Sequence, residues 1–168
     1  MKPKSLFLTP NDIAVIGCRI FAKPNGYANK TTRRLDKEIC QSMIGTSFEV
    51  SCEIWNLIQV CIEEVPDFLE EKLAEELKQY GLSFATFITS IKPDYLLWAL
   101  VLLKNYSTEE VNARLVGGTD VKTYQKWSWL LVKSISALKD SVVSMIAGIV
   151  FCFHCSAVDK IVLIQFPF

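Results

Sequence analysis

YSTEEVNARLVGGTDVKTYQKWSW, residues 106–129, is the stretch whose reading decides the fold. Ser107 and Glu110 have the spacing of a capping box and open a short helix over 108–116. Gly117 and Gly118 stop it, because glycine enters the left-handed backbone region at little cost. Thr119 or Asp120 then caps a second helix running from 121 to about 140. Along that helix Tyr124, Trp127, Leu131, Ile135 and Leu138 recur at spacings of 3, 4, 4 and 3, one apolar stripe expected to pack on a helix at 94–105. Lys122, Gln125, Lys126, Trp129 and Lys133 project from a different sector, with Thr123 beside them and no acid among them. Cations, amides and aromatics are the side chains that reach phosphates and base edges in a major groove. A short helix, a glycine turn and a second helix presented outward make a helix–turn–helix, expected at 107–139. The same spacing also fits a wall of a plain helical bundle with a solvated lysine face, or a partner-binding surface. Spacing alone leaves all three open.

Upstream the signals are again helical. Residues 36–44 can form a short helix that stops at Gly45, and Thr46 with Glu49 forms another capping box. The helix that follows has Val50, Ile54, Leu57, Ile58 and Cys61 at helical spacing. Pro66 and Asp67 open the next, which is acidic outside, holds Phe68, Leu69, Leu73 and Leu77 inside, and ends at Tyr80 before Gly81. LSFATFITSI (82–91) is ambiguous between a short helix and an extended connection. DYLLWALVLLKN (94–105) is apolar almost all round, which marks the central, most buried helix. The expected fold class is therefore all-α, a small helical bundle containing a trihelical helix–turn–helix unit. Residues 1–33, with no sustained period and with Arg33 and Arg34 at their edge, read as a basic and largely disordered arm. The helical domain is expected over 34–140, and 141–168 is an apolar tail without assignment.

The totals narrow the classes. At 168 residues the chain suits one domain, and its apolar fraction of 51% is high. Zero formal net charge means any attraction to nucleic acid must come from a local patch. Cys18, Cys40, Cys52, Cys61, Cys152 and Cys155, without a secretory signal, read as reduced thiols in an intracellular protein. Residues 142–158 carry no formal charge and sit near the lower length limit, about 17 residues, for a membrane span. A tail anchor is thus an alternative to a buried terminus.

The stretch KPDYLLWAL, the Thr-Glu-Glu helix start, the Gly-x-Asp turn and Lys-Thr-Tyr-x-Lys-Trp-x-Trp together resemble the region preceding the catalytic domain of Harbinger-type DDE transposases, as in diatom and algal copies. IGTSFEVSCEIWNLI is similar to that family's lead-in, and the resemblance covers residues 34–143, most specifically 93–139. It implies a helix–turn–helix that binds transposon ends through Lys122, Thr123, Gln125, Lys126 and Trp129. It further implies nuclear double-stranded DNA as partner, with a homodimer or a full-length transposase as protein partner. The family continues into a ribonuclease-H-like domain whose three acids hold two metal ions. Here only Asp140 and Asp159 follow Lys139, so no catalytic domain is expected, and a frame change near Ser144 would account for the unmatched tail.

No other chemistry is expected. Cys152, His154 and Cys155 lack the second ligand pair a structural zinc needs. The paired glutamates lie on amphipathic helices or at helix starts, and Gly117-Gly118 is no phosphate cradle. The expectation is a non-catalytic DNA-binding, transposase-like fragment with no cofactor and no metal. Lys122, Lys126 and Lys133 would contact phosphates, Gln125 and Thr123 would lie nearest the bases, and Arg33 and Arg34 would add backbone contacts. The alternatives are a helical protein-interaction module, with Trp129 and Leu130 in an exposed apolar patch, and a tail-anchored membrane protein.

Overall fold

The computed structural model describes residues 7–21, 30–105 and 107–150, with side chains over 7–21, 37–105 and 107–139. Among these residues the chain is all helical: α1 (Pro10–Phe21), α2 (Lys30–Ile44), α3 (Phe48–Glu64), α4 (Pro66–Gln79), α5 (Phe84–Ser90), α6 (Pro93–Lys104), α7 (Glu109–Leu115) and α8 (Val121–Val150). The chain divides into two compact units, Met1–Leu138 and Lys139–Phe168. In the second, the described residues are helical as far as Val150.

α6 is the axis of the first unit. Leu96, Leu97, Trp98, Ala99, Leu100 and Val101 are all buried, so no face of its middle turns reaches water. Each large side chain so buried contributes about 1.5–3 kcal/mol relative to exposure, and the remaining helices must surround it to collect that term. α1, α2 and α3 cover one side, and α8 lays Tyr124 and Trp127 on another. No single described helix is long and apolar enough to cross a membrane. α5 and α6 together have the length and composition, but they are bent by 95° and α6 is the core. Of the stretch read as a tail anchor, residues 151–158 lie outside the described residues.

The amino-terminal arm is a correction. Residues 10–21, expected to be disordered, form α1, with Ile13, Ala14, Gly17 and Ile20 buried. Thr9 and Asp12 are its capping box: the Thr9 amide donates to the Asp12 carboxylate at 2.9 Å, and the Asp12 amide donates to the Thr9 hydroxyl at 3.3 Å. Pro10 sits at the first helical position, where no amide is needed. Asn56 of α3 pins the preceding residue by accepting from the Leu8 amide (3.0 Å) and donating to its carbonyl (3.1 Å). Arg19 holds Asp94 of α6 with two contacts of 2.6 and 2.9 Å. α2 likewise starts at Lys30, earlier than 36.

Two caps shift by one residue. Ser47, not Thr46, caps α3 by accepting from the Val50 amide at 3.3 Å, and Thr108, not Ser107, caps α7 by accepting from Val111 at 3.4 Å. α3 is rotated from the expected stripe. Ile58 and Cys61 are buried and Ile54 is half-buried as expected, but Leu57 is exposed, and Phe48, Cys52, Trp55 and Ile62 are buried beside them. Trp55 has the largest apolar surface on this helix, so burying it sets the rotation. α4 ends as its glycine foretold: Gly81 takes φ 63°, Leu82 donates to the Leu77 carbonyl at 2.8 Å, and Gly81 donates to that of Lys78 at 3.0 Å. The ambiguous stretch 82–91 contains the short helix α5, capped by Ser83.

Candidate nucleic-acid interface

The amino end of α8 is built by the turn before it. Gly117 and Gly118 adopt φ 97° and 72°, and the amides of Gly118 and Thr119 both donate to the Ala113 carbonyl at 3.1 Å. This closes α7 and redirects the chain within a few residues. Asp120 then caps α8, accepting from the Thr123 amide at 2.9 Å. That backbone hydrogen bond is the main reason the Asp120 carboxyl is held below the usual range. Behind the turn, Asn112 is fully buried and donates to the Ser107 carbonyl at 3.3 Å.

The apolar stripe sets the rotation of α8. Tyr124, Trp127, Leu131 and Leu138 are buried and Ile135 is half-buried. The Tyr124 hydroxyl donates to the Trp98 carbonyl at 3.2 Å, and burial pushes its pKa up to about 12. Trp127 stacks on Tyr95 with centroids 4.5 Å apart and on Phe87 at 6.3 Å. With this side fixed to α5 and α6, a rotation of about 100° per residue puts Lys122, Gln125, Lys126, Trp129 and Lys133 on the opposite side, within a sector roughly 100° wide. Lys122, Thr123, Gln125, Trp129 and Lys133 are exposed, and Lys126 is half-buried.

Their surroundings divide this sector in two. In the first turns, Lys122, Thr123 and Gln125 face solvent, and Thr123 also hydrogen-bonds the Asp120 cap through its side chain. Farther along, neighbouring helices close in. The Lys126 ammonium lies over the rings of Tyr80 (5.9 Å) and Trp127 (5.4 Å). Trp129 donates its indole N–H to Glu109 of α7 at 3.1 Å, and Lys133 pairs with Glu76 of α4 at 3.3 Å. Burial, with Glu76 and Glu109 nearby, raises the Tyr80 phenol above its ordinary value. The sector has no acid of its own, but two other helices bring acids to it, and the Asp120 cap carboxylate lies near Lys122. Sequence spacing did not reveal Glu76 or Glu109, because each meets α8 only through the tertiary fold.

Arg33 and Arg34 lie on α2, and their side chains are outside the described residues, as are Cys152, His154 and Cys155. Among the described residues no group of three His, Cys, Asp or Glu could hold a metal ion, and no disulfide joins Cys18, Cys40, Cys52 and Cys61. Burial raises the Cys40, Cys52 and Cys61 thiols above their ordinary value, which disfavours the nucleophilic thiolate. Comparison with known proteins finds no matching family model, no matching curated protein and no matching solved structure.

Proposed function

We propose that this chain binds double-stranded DNA through the amino end of α8, as a transposase-like helix–turn–helix that positions itself on DNA without cutting it. The observation that carries the reading is the exposure of Lys122, Thr123 and Gln125 at the start of a helix whose other side is locked into the core. The first residues of a recognition helix are those that meet base edges. The helix dipole adds positive potential there, favouring phosphate. Lys122 and Lys126 are the proposed phosphate contacts, with Gln125 and Thr123 toward the bases. Transposon ends are the proposed target, the nucleus the proposed site of action, and a second copy or a full-length transposase the proposed protein partner. The transposase assignment rests on the sequence resemblance over residues 93–139.

A helical protein-interaction module is the second reading: of its expected patch Trp129 is exposed but Leu130 is fully buried, and Val111 and Leu115, exposed one turn apart on α7, favour it instead. One experiment separates them: fluorescence anisotropy of the full chain with duplex DNA from roughly 50 to 200 mM salt. DNA binding predicts that log affinity falls linearly with log salt, and that a Lys122→Ala/Lys126→Ala pair lowers the slope by about 2. Failure to bind at the lowest salt, or binding indifferent to both salt and the double substitution, refutes the proposal.

A further inference from the structure

The pair between Lys133 and Glu76 bears on how strongly this face can hold a polyanion. We propose, on the basis of the DNA-binding reading above, that Glu76 is an affinity-setting residue that competes with DNA phosphate for Lys133. Lys133 lies within the same sector as Lys122, so on position alone it extends the cationic strip by three turns. Its ammonium is instead held by a carboxylate from α4 at 3.3 Å. That separation is longer than the roughly 2.7–2.9 Å of a well-formed charge-assisted hydrogen bond. The Lys133 side chain is 50% exposed and that of Glu76 27%. The contact neutralises the lysine in the free protein without burying it, so a phosphate oxygen can take the carboxylate's place.

Glu109 has a different role. Its partner is the neutral indole N–H of Trp129, so a phosphate has no cation to take from it. Lys126 is also occupied, but by the rings of Tyr80 and Trp127, which attract a cation without cancelling its charge. Glu76 is therefore the group whose removal frees a full positive charge on the proposed binding face. The free protein presents Lys122 and Lys126 as its working cations and holds Lys133 in reserve.

The test is the salt-dependent anisotropy of the full-length chain in four forms: unchanged, Glu76→Gln, Lys133→Ala and both together. Glu76→Gln keeps the shape and removes the charge at a half-buried position, and circular dichroism checks that each form folds. The expected result is a gain in affinity of about two- to fivefold in Glu76→Gln, the range of an exposed ion pair. The salt slope should steepen by up to about 0.9, one added phosphate contact. Lys133→Ala alone should change affinity less than about twofold, yet erase the gain when combined with Glu76→Gln. Unchanged affinity in Glu76→Gln overturns the proposal, as does a gain that persists without Lys133, which would make Glu76 a general repulsive charge. Both outcomes leave DNA binding itself intact. If neither the unchanged chain nor Glu76→Gln binds at low salt, the functional reading falls, and this inference with it.

Discussion

Gly17→Ala should destabilise the protein even though alanine is the better helix former. The α1 backbone at Gly17 packs against α2 so closely that a Cβ there would overlap the Cys40 sulfur, with Leu97 Cδ1 of α6 3.6 Å away on another side. Cys40 is fully buried, so its sulfur has little room to retreat. Forcing an extra carbon into a packed core costs about 1–3 kcal/mol. Replacing glycine with alanine inside a helix returns about 1 kcal/mol. The expected net loss is therefore about 0–2 kcal/mol, read as a lower urea midpoint at unchanged slope with helicity followed by circular dichroism. Cys40→Ala alone should cost about 1 kcal/mol for the space it opens. The double substitution should be more stable than Gly17→Ala alone, because the new methyl group enters the volume the sulfur leaves. That non-additivity is what the reasoning stands on. A Gly17→Ala protein more stable than the parent, or one that Cys40→Ala fails to rescue, would refute the close packing of α1 on α2.

Two further results are expected. Cys40 rises from 9.0 to about 12 and Tyr124 from 10.0 to about 12, each chiefly through burial, so the unfolded chain loses these protons first. Their stabilising effect is complete below pH 9 and is lost as the pH climbs toward 12. Urea midpoints should fall across that window, and Cys40→Ala should flatten its lower part; a flat profile in the parent protein would contradict the burial of both groups. Ser47→Ala should lower stability by about 1 kcal/mol through loss of the α3 cap, whereas Thr46→Ala should change it by only a few tenths; equal effects would show that the cap register is wrong.

Helix order from α3 to the start of α8 was legible because it is written in local signals: Gly45, Gly81 and Gly117-Gly118 as stops, Pro66 and Pro93 as starts, and hydroxyls as caps. Caps slipped by one residue where two hydroxyls adjoin, at Thr46-Ser47 and Ser107-Thr108, since only the folded backbone selects which side chain meets a free amide. α1 was missed for a different reason. Two of its four buried positions are Ala14 and Gly17, which carry almost no hydrophobic signal. Gly17 matters only because Cys40, 23 positions later, packs on it. The same distinction runs through the candidate site. Lys122, Gln125, Lys126, Trp129 and Lys133 share one side because the helical repeat requires it. Glu76 and Glu109 join them through contacts that no local pattern encodes.

The all-round burial of α6 also bears on how the chain emerges from a ribosome. α1, α2 and α3 are made before α6 and can cover one side of it as it appears. The rings of Tyr124 and Trp127, which cover Trp98 and Tyr95, are made only afterwards. For that interval the nascent chain carries a water-exposed apolar helix, the type of surface that chaperones hold and that aggregates when they do not. A premature stop between Lys104 and Tyr124 would leave it uncovered. A chain cut within the glycine turn would keep the apolar core helix and lose the rings that cover it.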